Sequence, residues 1–410
     1  MRSWPTVYLP PAPEFIVPPN LKLRDSYTRE LHELNQVDVS TYVCGITPYD
    51  ATHLGHAATY ISFDLIHRYL IAAGKHLTFV ENITDIDDPL LERATRDNQN
   101  WEELAQSQID LFISDMTALR VIPPSTYRGV VEAMDEIVDS ILQYIRKGVT
   151  YEIAGDIYLE ISKVEGFPEN LPLSFDEAIK TFSERGGDPD RSGKRNPLDP
   201  LLWRAKRPNE PSWSAPFGEG RPGWHVECVA IALKYLPDTG MNSISLQGGG
   251  SDLAFPHHYM SAMQSRAITG KNFAACFVHA GMIGLNGEKM SKSKGNLVFV
   301  SKLIQEGVPA QQIRLALLLD HYQTDRMWDQ GLLDRAGSLI KKLEIALSMM
   351  EVSATREVVT HFVGALADNL DTPQAISVIE KWCDRSIAGD SGGQAEEIAR
   401  ALDTYLGITL

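Results

Sequence analysis

Residues 37–44, VDVSTYVC, form a short run of apolar and β-branched residues, which predicts a buried strand. In LGHAATYISFDLIHRYLIAAG (54–74) the apolar residues recur at intervals of three and four, which predicts a helix, with Gly74 placed as its C-cap. HLTFVEN (76–82) then predicts a second strand. Strand, helix and strand within so short a span make a βαβ unit, and hence a parallel sheet. The pattern resumes far downstream, with a strand at NSISLQ (242–247), a helix at 253–268 and a strand at FVHAGMI (277–283). The fold class expected is α/β, a doubly wound sheet interrupted by an insertion that holds helical patches and the loop SERGGDPDRSGKRNPLDP. Beyond about residue 300 the amphipathic stretches DQGLLDRAGSLIKKLEIALSMM and TPQAISVIEKWCD predict a helical bundle. The expected division is an extended arm (1–36), the first half of the sheet domain (37–115), the insertion (116–225), the second half (226–295) and a helical region (296–410).

Composition narrows the setting. The 410 residues are 43% apolar and 22% charged, the profile of a globular protein. No run approaches eighteen apolar residues, so no membrane span is expected. The first twenty residues hold six prolines and no apolar core, unlike a signal peptide, so a cytoplasmic protein is expected. The net charge of −16 repels nucleic acid at long range. The four cysteines, Cys44, Cys228, Cys276 and Cys383, are scattered and are expected as thiols in a reducing compartment. Cys276 and Cys383 read as ordinary buried thiols.

Three segments carry candidate chemistry. In CGITPYDATHLGH (44–56), the first strand hands over to the first helix. Ligands of open α/β sheets sit beyond such strand ends, and a helix N-terminus offers N–H groups to phosphate. His53 and His56 can donate to phosphate oxygens there, and Gly55 permits close approach. The second segment is GEKMSKSKGN (287–296), where Lys289, Lys292 and Lys294 could stabilise a departing pyrophosphate. Together the HxGH and KMSKS segments are specific. The third is the set Cys44, Cys228 and His257, a reasonable zinc donor set. Its spacings of 184 and 29 are not those of a zinc finger, and by themselves they favour buried structural residues. The turn Gly248–Asp252 could hold a ribose through Asp252, or be a plain turn. Trp224 could wall a pocket, or simply pack. His225 and His279 read as packed or surface histidines.

The segments CGITPYDATHLGHAATY, FVENITDIDDP, GRPGWHVEC, GGGSDLAFPHH and KMSKSKGN, in this order, resemble the class I aminoacyl-tRNA synthetases, and among them the cysteine-activating group. The resemblance covers about residues 40 to 340. It implies a class I synthetase-type Rossmann domain and zinc bound by Cys44, Cys228 and His257. It also implies activation by His53, His56, Lys289 and Lys292. An aminoacyl-adenylate is implied to lie against Cys44, Gly45, Ile46, Thr47, Thr59, Asn82, Ile83, Thr84, Trp224, Gly250, Ser251, Asp252 and Ile283.

Two features depart from cysteinyl-tRNA synthetases. Those enzymes carry a glutamate ligand four residues after the matching histidine, where this chain has Ser261. Only 117 residues follow KMSKS, little room for an anticodon-binding domain. Residues 331–410 hold 7 lysines and arginines against 12 aspartates and glutamates, a net −5, a poor surface for a tRNA stem. Both departures, and the segment ERGGDP (184–189), resemble the mycothiol ligase family. That resemblance implies ATP (with Mg2+), L-cysteine and glucosaminyl-inositol as substrates, one zinc per chain, a monomer, and no nucleic acid or membrane partner. Glu184, Arg185 and Asp188 are then expected to help form the amino-sugar site. Replacing Arg185 and Asp188 is expected to spare the activation half-reaction.

Overall fold

The computed structural model describes residues 1–410 apart from 50, 286 and 291–294, and of Lys289 the backbone alone. The N-terminal arm is extended only in part. Within the expected arm, β1 (Leu21–Arg24) and β2 (Leu31–Leu34) pair as an antiparallel hairpin. The cause is alternation too short for sequence reading to detect: Leu21, Leu23 and Leu34 are buried, while Lys22 and Arg24 face out.

The main sheet is built from β3 (Asp38–Val43), β4 (His76–Ile83), β5 (Thr126–Gly129), β10 (Asn242–Gly250) and β11 (Asn272–Ala280), in the order β11-β10-β3-β4-β5 and all parallel. The order reverses between β3 and β10, which makes that crevice the topological switch point, where ligands bind in such sheets. Helix α1 (Leu54–Ala72) crosses from β3 to β4 and is buried along most of its length. That is why its apolar residues run nearly all round the helix rather than along one stripe.

Several boundaries differ from the sequence reading. β5 falls inside the segment expected to be insertion, yet it pairs with β4, because four residues of TYRG carry no periodicity that sequence alone could register. The separate four-stranded antiparallel sheet, β6 (Thr150–Ile153), β7 (Asp156–Leu159), β8 (Leu201–Ala205) and β9 (Gly220–Pro222), begins only at Thr150. Between β7 and β8 lies α5 (Phe175–Glu184), capped by Ser174 and Glu177 in a reciprocal capping box. The strand expected at 277–283 runs instead from Asn272 to Ala280, and Ile283–Leu285 (β12) belongs to a small second sheet. The helix expected from 253 begins with a single 3-10 turn, Ser251–Leu253, and a wide turn, Ala254–His258, before α7 (Tyr259–Thr269). Phe255 is extended there (φ −137°, ψ 135°), which interrupts the helix.

From Val300 onward the chain is mainly helical. Its helices share one apolar core with α1 through residues such as Leu317, Phe362, Trp382 and Leu406. A second core lies between the insertion sheet and the other face of the main sheet, around Trp203, Phe182 and Met260. No helix is long and apolar enough to cross a membrane among the described residues.

Candidate active site

A cleft of about 1340 Å³ opens at the carboxyl ends of β3 and β10, walled on the far side by the insertion. Its floor is set by the switch point. Gly45 follows β3 so closely against β4 that a Cβ there would fall 1.6 Å from the Asn82 carbonyl oxygen, so only glycine fits. The Gly45 amide donates to Asn82 Oδ1 at 3.0 Å, and the Tyr42 hydroxyl donates to the same oxygen at 2.9 Å. Asn82 Nδ2 in turn donates to Thr84 Oγ1. Gly45, Ile46, Thr47, Thr59, Asn82, Thr84, Trp224, Gly250 and Asp252 all line the cleft, as do Glu184, Arg185 and Asp188. Ile83 and Ile283 sit in the apolar core, and Ser251 stands outside the lining.

His53 caps α1. Its Nδ1 accepts from the Gly55 amide at 3.1 Å, and its ring stacks on His56 with centroids 3.8 Å apart. With Nδ1 accepting, the neutral ring carries its proton on Nε2. Burial, and next to it His53, holds His56 well below the usual imidazole range, so His56 is neutral. Both rings line the cleft at the start of α1, the positive end of the helix dipole. Lys292 and Lys294 lie outside the described residues, as does the side chain of Lys289.

At the inner end of the cleft, thiols and imidazoles converge. Cys44 Sγ and Cys228 Sγ are 3.9 Å apart, and His257 Nε2 lies 3.3 Å from Cys228 Sγ. Two thiolates each about 2.3 Å from a tetrahedral ion sit about 3.8 Å apart, so the sulfurs have the spacing a metal requires. His258 was passed over by the sequence reading. Its Nε2 lies 3.1 Å from Cys44 Sγ, and the donor atoms of Cys44, His257 and His258 all lie within 4.8 Å of one another. The HH pair after Pro256 was its only signal. His225 and His279, read from sequence as bystanders, back the two: His225 Nδ1 is 3.0 Å from His257 Nδ1, and His279 Nε2 is 2.7 Å from His258 Nδ1. Trp224 stacks on His257 at 4.4 Å. Ser261 turns away, donating its hydroxyl to the His257 carbonyl at 2.8 Å.

The electrostatics suit a cation. Burial pushes the Cys44 thiol well up, and Cys228 adds to this. At Cys228 burial acts the same way, but hydrogen bonding with Cys44 and the charge of His257 outweigh it and hold that thiol well below its usual range. Burial holds His225 and His258 well down, each helped by a neighbouring imidazole. Neutral imidazoles and a thiolate are the forms that coordinate metal.

The ERGGDP loop forms the opposite wall. The Arg185 guanidinium donates to the carbonyls of Asp252 and Phe255. Asp188 accepts from the Tyr158 hydroxyl at 2.5 Å and from Lys194 at 3.1 Å. Glu184 is exposed, with Lys180 at 4.0 Å. All three residues expected to meet an amino sugar therefore have partners within the protein, Glu184 only through the long, exposed contact with Lys180.

Comparison with known proteins places this geometry. Residues 30–338 match the family model described as the class I (C) tRNA synthetase catalytic domain. Along its whole length the chain is 49% identical to a protein of Nakamurella multipartita, 48% to one of Segniliparus rotundus and 46% to one of Nocardia farcinica, each also covered in full. All three carry the name L-cysteine:1D-myo-inositol 2-amino-2-deoxy-alpha-D-glucopyranoside ligase. The chain belongs to this ligase family. It shares its fold with the Mycobacterium tuberculosis methionyl-tRNA synthetase solved with methionyl-adenylate (17% identity, TM-score 0.59, 91% of this chain and 89% of that one). The same holds for the Agrobacterium radiobacter K84 LeuRS solved with tRNA and LeuAMS (13% identity, TM-score 0.61, 91% and 84%).

One buried group beside the HxGH segment of this ligase-family chain yields a pH prediction. Asp115, on the helix Trp101–Ala118, is buried, and burial raises its carboxyl to about 7, with the Thr52 hydroxyl offsetting part of the shift. A carboxyl raised on folding favours the folded state at low pH and loses that contribution as pH rises through about 7. Asp115→Asn should therefore stabilise the protein by about 1–2 kcal/mol at pH 8 and by little near pH 4. Urea denaturation at both pH values checks this, and an equal change at both would contradict it.

Proposed function

We propose that the protein joins L-cysteine to the amine of glucosaminyl-inositol with ATP, through a cysteinyl-adenylate, releasing AMP and pyrophosphate in mycothiol biosynthesis. The observation that carries this reading is the end-to-end identity of 45–49% with relatives named for that ligation. The cleft supplies the chemistry the reading needs. The cysteine carboxylate attacks the α-phosphate of ATP, which arrives with Mg2+. His53 and His56 donate to the phosphates at the α1 N-terminus, and Lys292 stabilises the departing pyrophosphate. Thr59, Gly250 and Asp252 hold the nucleoside side, and Trp224 closes the cysteine pocket against His257. In the second step the neutral sugar amine attacks the adenylate carbonyl and AMP leaves. No protein nucleophile is required, because the mixed anhydride is already activated. The acceptor enters between the ERGGDP loop and the floor.

The donor set fits zinc, held by Cys44, Cys228 and His257. Such an ion supplies a site that prefers a thiol to a hydroxyl, a distinction that pocket shape alone makes only about 10²-fold. The reading also places the enzyme in the cytoplasm as a monomer. The deciding experiment offers the purified protein glucosaminyl-inositol or tRNA in parallel, with cysteine and ATP, and follows AMP release. Release with the amino sugar alone is expected; release with tRNA alone would make the chain a cysteinyl-tRNA synthetase.

Lys292→Ala is expected to slow adenylate formation about 10²–10³-fold, by analogy with loss of one donor to a developing anion. Binding of cysteine should scarcely change, since this charge matters most as pyrophosphate departs. Rapid-quench measurement of pyrophosphate release checks it, and release at the wild-type rate would contradict it.

A further inference from the structure

We propose that Arg185 is a positioning residue for cysteine activation, holding in place the turn that carries the Asp252 carboxylate and the His257 imidazole. The inference builds on the proposed function and assigns this loop a role in the first half-reaction.

The argument begins with the break in the chain after β10. Between Ser251 and His258 the backbone makes one 3-10 turn and one wide turn, and Phe255 stands extended inside the second. Regular helical bonding is lost there, and the carbonyls need donors from elsewhere. The Ala254 amide returns to Ser251, and the Tyr259 amide to Ala254 and Pro256. The Tyr27 hydroxyl also donates to the Ala254 carbonyl, at 2.7 Å, and the Ser261 hydroxyl to that of His257. The Arg185 guanidinium donates to the carbonyls of both Asp252 and Phe255. The two carbonyls bracket the turn from Asp252 to Phe255, which leads directly into His257. Both contacts come from one nitrogen, Nη1, so a single charged group ties the two carbonyls together.

The loop is built to deliver that guanidinium. Its start is tied to α5, with the Arg185 and Gly187 amides donating to the Phe182 carbonyl at 3.3 and 2.8 Å. At Gly187 a Cβ would meet the Phe182 ring at 2.4 Å, so glycine lets the chain fold back over that ring. Its far end is tied to the insertion sheet by Asp188, through Tyr158 and Lys194. Arg185 thus joins a loop anchored in the insertion to the element that presents Asp252 and His257 to the cleft.

The test uses the full-length protein and two substitutions, Arg185→Ala and Arg185→Lys. Cysteine-dependent ATP–pyrophosphate exchange should fall about 10²-fold in kcat/KM for the alanine variant, the size expected when reacting groups shift by about 1 Å. The KM for glucosaminyl-inositol should change little. Lysine keeps a charged nitrogen with several N–H groups but not the planar guanidinium that orients Nη1, and should recover part of the loss. Amide hydrogen exchange of residues 250–260, followed by mass spectrometry, should quicken in both variants, more so with alanine. Unchanged pyrophosphate exchange with a raised amino-sugar KM would overturn the proposal and make Arg185 an acceptor contact. Unchanged amide exchange at 250–260 would overturn it as well, as would an activity loss that merely tracks the fraction of unfolded protein. If the wild-type protein shows no cysteine-dependent exchange, the proposed function falls instead, and the amide exchange still decides whether Arg185 holds the turn.

Discussion

Replacing Cys228 with alanine is expected to strip the metal from the protein and to abolish cysteine-dependent pyrophosphate exchange together. Cys228 is the thiol held well below its usual range, and it stands 3.9 Å from Cys44 Sγ and 3.3 Å from His257 Nε2, so it links the other two proposed donors. Without it the nearest set is Cys44, His257 and His258, with one sulfur in place of two. Losing a thiolate weakens a soft site for zinc more than losing an imidazole does. His258→Ala is the informative partner. If the metal rests on Cys44, Cys228 and His257, the His258 variant keeps it and Cys228→Ala does not. Cobalt substitution supplies a readout that needs no turnover: a sulfur-to-metal band present in the wild type should vanish in Cys228→Ala. Added cysteine should strengthen that band in the wild type, and serine should not. A spectrum that ignores cysteine would mean that His258 completes a closed four-donor set, leaving the ion structural. Full metal content in Cys228→Ala would remove Cys228 from the set altogether.

What the sequence made legible was whatever is local or carried by a short motif. The β3–α1–β4 unit could be read because its apolar period spans nearly fifty residues. His53 and His56 could be read because the strand-to-helix turn puts them at a ligand edge by topology alone. The thiol pair could be listed only as a candidate, since 184 residues separate Cys44 from Cys228 and nothing local says that β3 and the helix Trp224–Tyr235 converge. His258 was missed because the resemblance already named its neighbour. The contact of Arg185 could not be read at all. Its acceptors are backbone carbonyls 67 and 70 residues away, exposed by a helix break at Phe255 that no residue pattern announces. A polar, glycine-rich loop looks like a binding loop from its composition, whereas here two of its polar groups are spent on internal contacts.

The largest stability effect is expected at Asp64, far from any substrate. Its carboxylate is fully buried on α1 between Arg68, with Nε 2.6 Å from Oδ2, and Arg314, which donates to the same oxygen. Its other oxygen accepts from the Ile122 amide at 2.7 Å. The two guanidiniums continue outward: Arg314 donates to the carbonyls of Leu119 and Leu406, and Arg68 to those of Arg120 and Asp403. One acid thus orients two bases that tie the C-terminal turn to the catalytic domain. At Gly407 a Cβ would lie 2.7 Å from the Arg68 guanidinium carbon, so the chain must pass there as glycine. Removing the acid leaves two buried cations facing each other. Asp64→Ala should cost about 3–5 kcal/mol, the range for breaking a buried pair by deleting one partner. The pH dependence has a definite sign. Burial alone would raise this carboxyl, but Arg314 and Arg68 outweigh it and hold it below its ordinary value. A depressed carboxyl stabilises the fold above its unfolded pKa of about 3.9, and that contribution is lost as pH falls through the lower folded value. The deficit of Asp64→Asn against the wild type should therefore be full at pH 7 and shrink below about pH 3.9. Urea denaturation measures both. A loss at pH 7 below about 1 kcal/mol, the size of an exposed pair, would show that solvent reaches the triad and that the C-terminal turn is held by its apolar contacts alone.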